Sequence, residues 1–169
     1  MINRYTLPEM GTIWTEEARF KFMLEVEIAA CEAMAKLNLI PKDAAKKIRQ
    51  KGGFKISQVH EYEKVTKHDV TAFLKSVADH IGPEARFVHK GLTSSDVLDT
   101  ALSLQMRDGL TLLQKTCSEL IALLKKQAIR HKDTAMMGRS HGVHAEPVTM
   151  GLKFLLFYGW LSRRRRESG

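Results

Sequence analysis

The chain has 169 residues, 44% of them hydrophobic, which suits one domain, or one small domain plus part of another, with an ordinary buried core. No apolar run reaches membrane-spanning length, and the start MINRYTLPEM lacks the apolar stretch of a signal peptide, so membrane and secreted classes are disfavoured. The formal net charge of +8 invites a nucleic-acid reading, but much of the excess sits in one run, Arg163 to Arg166. A basic site for a multiply anionic small molecule accounts for a modest excess equally well.

The pattern reads as helical almost throughout. Over residues 15–37 apolar side chains fall at Phe20, Leu24, Ile28, Cys31 and Ala35, in steps of three and four that make one stripe on a helix. Thr15 is the expected N-cap, with Glu16 and Glu17 on the positive end of the helix dipole. Pro41 opens a short helix over 42–50, ended by Gly52 and Gly53. Two further short helices are predicted over 57–65 and 69–80. From Ser94 to about Arg130 there is no proline and a single glycine, Gly109. Along it Leu102, Met106, Leu110, Leu113, Cys117, Leu120 and Leu124 form a helix-bundle seam. Such a helix is roughly 50 Å long, more than a compact globule of this size can enclose. Glycines and a proline interrupt residues 131–147, and a last helix is predicted from about Pro147 past Leu161. No stretch alternates strictly enough to be expected as a strand. The fold class expected is all-α: a small N-terminal helical domain over 1–92, then the first long helices of an elongated bundle over 93–169, incomplete at the C-terminus. Cys31 and Cys117 both fall on apolar faces and read as buried, reduced thiols of a cytoplasmic protein rather than a disulfide.

Three clusters concentrate protonatable side chains between the apolar helices. In Thr66-Lys67-His68-Asp69 the histidine stands at a helix start, and the physics alone favours a cap with a solvated ring. In His89-Lys90-Gly91-Leu92-Thr93-Ser94-Ser95-Asp96, Thr93 and Asp96 have the spacing of a capping box. The same helix start, with two hydroxyls and the positive charge of His89 and Lys90 beside it, also makes a cradle for carboxylate or phosphate. Capping and cradle both stand. In Gly138-Arg139-Ser140-His141-Gly142-Val143-His144-Ala145-Glu146-Pro147, two histidines three apart suit either a metal or proton transfer. A metal would want further ligands at set spacing, and the cysteines lie on helix seams instead, so no metal is expected. A histidine in a tight turn beside Arg139 and Glu146 is suited to acid–base work. No Gly-rich phosphate loop or serine triad is specified.

Taken in order, Arg4-Tyr5, Pro8-Glu9-Met10, Lys67-His68-Asp69-Val70, Gly91-Leu92-Thr93-Ser94-Ser95-Asp96-Val97 with Asp99-Thr100-Ala101, and Gly138 to Pro147 resemble successive motifs of the adenylosuccinate lyases, in the fumarase/aspartase superfamily. The resemblance runs from Met1 to about Phe157. It implies a β-elimination that releases fumarate from adenylosuccinate, leaving AMP, and from the succinyl-carboxamide imidazole intermediate of purine synthesis. By motif, Arg4 and Tyr5 hold the phosphate end of the nucleotide, and Lys67, His68 and Asp69 line the pocket, with His68 orienting or protonating substrate. His89 adds substrate-binding charge, Thr93 and Ser94 bind a succinyl carboxylate, and His141 is the general acid. The resemblance further implies a homotetramer whose sites draw on three subunits, no cofactor, and neither nucleic acid nor membrane as partner.

Ser140 stands where the family has threonine and keeps the hydroxyl. Beyond Phe157 the likeness to a family bundle helix stops. Well over half of the usual chain is expected to lie outside this sequence, including the flexible Ser-Ser-x-Met-Pro-x-Lys-x-Asn-Pro loop with the serine base. A truncated, frame-shifted or partial reading frame would explain that end and the arginine run. Argininosuccinate lyases, fumarases and carboxymuconate cycloisomerases share the cradle, but Lys67-His68-Asp69 and the segment Gly142 to Pro147 favour the adenylosuccinate lyases. The reading from another class is a non-catalytic helical fragment or binding module whose arginines contact RNA or an acidic partner.

Overall fold

The computed structural model describes residues 2–167, except the side chains of Asn3 and of residues 164–167; Arg164, Arg165 and Arg166 of the charged run therefore lie outside the described side chains. The elements are α1 (Pro8–Ile13), α2 (Glu16–Lys36), α3 (Lys42–Lys51), α4 (Ile56–Thr66), α5 (Asp69–Ile81), α6 (Ser94–Arg130), β1 (Ala135–Ser140), β2 (Val143–Thr149) and α7 (Met150–Glu167). Short 3-10 turns cover Asn3–Tyr5 and Pro83–Phe87. The chain forms two compact units, Met1–Gly109 and Leu110–Gly169.

The first unit owns the hydrophobic core, and α2 is its spine. Thr15 caps α2 as its sequence position requires: its hydroxyl accepts from the Ala18 backbone N–H at 3.1 Å. The stripe then delivers Phe20, Ile28, Cys31 and Ala35 to the interior, together with Met23. Phe20 stacks on Phe73 of α5 at 5.4 Å between ring centroids and meets Phe54 edge-on at 5.6 Å. Around them close Ile48, Val59, Val70, Val77, Ile81 and, from the first turns of α6, Val97 and Ala101. Ser76, wholly buried, accepts the Lys55 N–H and donates to Gln58, so its hydroxyl is not orphaned. Buried Gln105 donates to the Ile13 carbonyl at 2.8 Å, fastening the end of α1 to α6. Gly109, the one glycine of α6, leaves its surface open to the Trp14 ring and the Met10 sulfur.

The second unit corrects two expectations. The interruption expected over 131–147 contains most of an antiparallel hairpin, whose strands cover Ala135–Ser140 and Val143–Thr149. Both strands are largely exposed on both faces, so no alternation of apolar and polar residues announces them. Backbone chemistry makes the hairpin instead. His141 and Gly142 both take positive φ, 50° and 77°, as the tight two-residue turn between right-twisted strands demands. The register slips between Met137 and Arg139, where Gly138 admits the Glu146 carbonyl to 2.6 Å from where a Cβ would stand. The last helix accordingly starts at Met150 rather than near Pro147, which sits in β2 opposite Met137. Gly151 is obligatory at that start, because an added Cβ would lie 2.5 Å from the Ala128 carbonyl. A short helix over Pro8–Ile13, absent from the sequence reading, completes the differences.

The stacked phenylalanines set the first prediction. Phe73→Ala removes a wholly buried ring from the middle of this core, and should lower the unfolding free energy by about 3–5 kcal/mol in urea titrations.

Candidate active site

In the first unit the expected site residues lie on loops and helix starts tied to the core. Arg4 and Tyr5 occupy the N-terminal 3-10 turn, exposed, with the guanidinium 4.7 Å above the tyrosine ring centroid. Lys67 closes α4 in the left-handed region, φ 54°, its N–H bonded to the Glu63 carbonyl at 2.9 Å. His68 is the N-cap of α5: its Nδ1 accepts the Thr71 N–H at 3.4 Å, which leaves Nε2 carrying the ring proton of the neutral form. Asp69 accepts its neighbour's Val70 N–H at 2.8 Å and pairs with Arg19, reaching across from α2. The tetrapeptide is thus a cap, as its local pattern suggested, and also a fixed turn that presents Lys67 and His68 to solvent.

The second cluster is held from beneath. Glu27 of α2 has no solvent exposure. Its Oε2 accepts the His89 backbone N–H at 2.8 Å and its Oε1 lies 2.6 Å from His89 Nδ1. His89 takes φ 62°, a left-handed conformation uncommon for a residue with a Cβ, and Gly91 follows at φ 77°. That backbone path turns the chain from Phe87 into the first turn of α6. There the Thr93 N–H donates to Asp96 Oδ2 at 2.7 Å, the contact the capping-box spacing called for. Thr93 is exposed and Ser94 half-buried at the helix N-terminus, where unpaired backbone donors and the dipole favour an anion.

Sequence reasoning missed Glu27 and Arg19. The signal was present for Glu27: it stands between Leu24, Ile28 and Cys31, a charge inside an apolar stripe at helical spacing. Arg19 and Glu27 are eight residues apart on one helix, about 12 Å of rise, so α2 tethers the His68 turn and the His89 loop on one rigid element.

In the second unit His141 heads the hairpin turn, exposed, with Arg139 and His144 facing each other across the strands as a Cα pair. Ser140 pairs with Val143 and closes the turn.

A family model described as Lyase matches residues 3–167. The chain belongs to that lyase family. It is 49% identical to the adenylosuccinate lyase of Aquifex aeolicus over 99% of its length and 39% of the relative's. It is 49% identical to that of Bacillus subtilis over 96% of its length and 38% of the relative's. The chain thus spans well under half the length of these curated relatives, and the motif resemblance extends to nearly all of it. Among solved structures it superposes on a 3-carboxy-cis,cis-muconate lactonizing enzyme from Pseudomonas putida with a TM-score of 0.89 at 32% identity, covering 96% of this chain and 39% of that one. A fumarate lyase from Mesorhizobium sp. BNC1 gives a TM-score of 0.86 at 29% identity, over 94% and 39% of the two chains. Among the described residues no helix is long and apolar enough to cross a membrane.

Neither cysteine is in a disulfide; Cys31 is buried as expected, whereas Cys117 is only half-buried. Burial, then the nearby Glu27 and Glu32 carboxylates, push the Cys31 thiol up from 9.0 to about 11. A thiol that ionises less readily folded than unfolded contributes stability below its unfolded value and loses it as pH rises through the folded one. Stability should therefore fall between about pH 9 and 11, and Cys31→Ala should remove that part of the slope in denaturant titrations across the range.

Proposed function

We propose that these 169 residues supply the N-terminal share of an adenylosuccinate lyase site, which releases fumarate from adenylosuccinate and from the succinyl-carboxamide imidazole ribotide by β-elimination. The observation that carries the reading is the 49% identity to adenylosuccinate lyases along essentially the entire chain, against 32% and 29% to the structurally matched lactonizing enzyme and fumarate lyase.

In such an elimination a base removes the proton beside a succinyl carboxylate, the electron pair forms the fumarate double bond, the carbon–nitrogen bond breaks, and an acid protonates the departing nitrogen. The carbanion's charge spreads into that carboxylate and is stabilised by donors already in position. Thr93 and Ser94, at the N-terminus of α6, suit that task. Arg4 and Tyr5 suit the nucleotide phosphate, with Lys67, His68, Asp69 and His89 lining the substrate pocket. His141, in a fixed and exposed turn, suits the acid. The division at residues 92–93 belongs to this reading: the cradle is the point where the N-terminal domain hands over to the bundle. The enzyme so described is cytoplasmic and uses no cofactor.

Assembly is part of the proposal. Leu102, Met106, Leu110, Leu113 and Leu120 of α6 are each between 42% and 55% exposed, while Leu124 alone of the seam is buried. An apolar stripe of that extent marks an association surface, and in this family it would be closed by the long helices of other subunits.

The purified chain should release no fumarate from adenylosuccinate, for want of the loop with the serine base. Release by the chain alone would overturn that. Mixed with the C-terminal part of the Bacillus subtilis enzyme it should regain activity, and His141→Ala should cost about 10²-fold or more in the mixture. A mixture that assembles yet stays inactive would count against the lyase reading. In sedimentation velocity the chain should run larger than a monomer, and Leu113→Glu with Leu120→Glu should shift it to monomer.

A further inference from the structure

We infer that Glu27 is the positioning residue for His89: it keeps the ring proton on Nδ1 and turns Nε2 outward as the nitrogen that meets substrate. The inference rests on the lyase reading for what His89 meets, but on the hydrogen-bond geometry alone for how it is held.

A carboxylate only accepts hydrogen bonds, and both oxygens of Glu27 are committed to one residue, His89. The backbone N–H occupies Oε2 and leaves Oε1 to the ring, in a place with no solvent exposure. A separation of 2.6 Å between Oε1 and Nδ1 is a hydrogen bond, and with the backbone N–H already on Oε2 the geometry points to the ring as its donor. The second nitrogen then faces away, on a side chain still 23% exposed while its partner is 1% exposed. This is the arrangement by which a buried acid selects a histidine tautomer and aims its working nitrogen. The left-handed backbone at His89 points the same way, since such a conformation persists where surrounding bonds over-determine it, and the Glu27 bond to the His89 N–H is one of them. One turn along the same helix, the Cys31 thiol donates to the Phe87 carbonyl at 3.5 Å rather than to the carboxylate.

Glu27→Gln makes a sharp test. The backbone N–H must still meet the amide oxygen, so the amide NH₂ faces Nδ1 and the ring can bond it only by moving its proton to Nε2. Long-range proton–nitrogen spectra of the uniformly ¹⁵N-labelled chain, with the His89 signals assigned by their loss in His89→Asn, read the tautomer directly and without substrate. Protonated Nδ1 is expected in the unaltered chain, and the Nε2–H tautomer in Glu27→Gln. A bare Nδ1 in the unaltered chain would overturn the inference, and that spectrum decides even if the variant folds poorly. So would a variant that folds with Nδ1 still protonated. In the mixture with the Bacillus subtilis C-terminal part, Glu27→Gln should lower kcat/KM about tenfold or more; full activity there would sink the functional half. A mixture inactive with the unaltered chain would instead count against the lyase reading, leaving the tautomer result to stand by itself.

Discussion

A carboxylate sealed from water has to be answered by donors, because removing it from solvent costs several kcal/mol that only hydrogen bonds and opposite charge return. Glu27 lies among Met23, Ile28 and Cys31 on the interior face of α2, and among the described residues the hydrogen bonds that answer it come from His89. The consequence runs outward. The His89 loop cannot leave without stranding a buried polar group, and the loop is what brings the chain to the first turn of α6 with Thr93 and Ser94 at its tip. Removing one partner of such a pair is far more costly than the pair itself is stabilising.

The same helix carries the opposite charge near its start. Arg19 reaches Asp69, and Asp69 also holds the backbone of the turn that presents Lys67 and His68. That pair is partly exposed, so its contribution to stability is small; its worth is geometric. Two loops of irregular backbone, each with a left-handed residue, are set by two charged side chains on one rigid helix. Loops positioned by such a scaffold are where binding and chemistry concentrate.

The long helix poses the converse problem. Its first turns bury Val97 and Ala101 in the core, while its seam from Leu102 to Leu120 stays half-exposed. In water a row of leucines at bundle spacing is an unfinished interior. The exposed apolar residues of α7, Leu152, Leu155, Leu156 and Trp160, present the same requirement. Nothing about the described residues of these helices is irregular in itself.

Helices were legible in the residues because their cause is local: a stripe at steps of three and four, Thr15 as a cap, Pro41 and Gly52 as punctuation, and an unbroken run after Ser94. The clusters at 66–69, 89–96 and 138–147 were legible too, since protonatable residues between apolar helices stand out by composition. The hairpin was not, because strands exposed on both faces leave no period-2 pattern, and its turn uses His141-Gly142 rather than the asparagine-glycine pair that signals such turns most strongly. Nor were the tethers. Glu27 was visible as a charge in an apolar stripe, but its partner is 62 residues away, and only folding brings the two together. The sequence by itself determined the helical elements, the caps and the chemical types gathered at each loop, because those depend on neighbours within a few residues. Tertiary structure alone decided which buried acid holds which histidine, and which face of the long helix stays open, because both depend on segments the chain brings together from a distance.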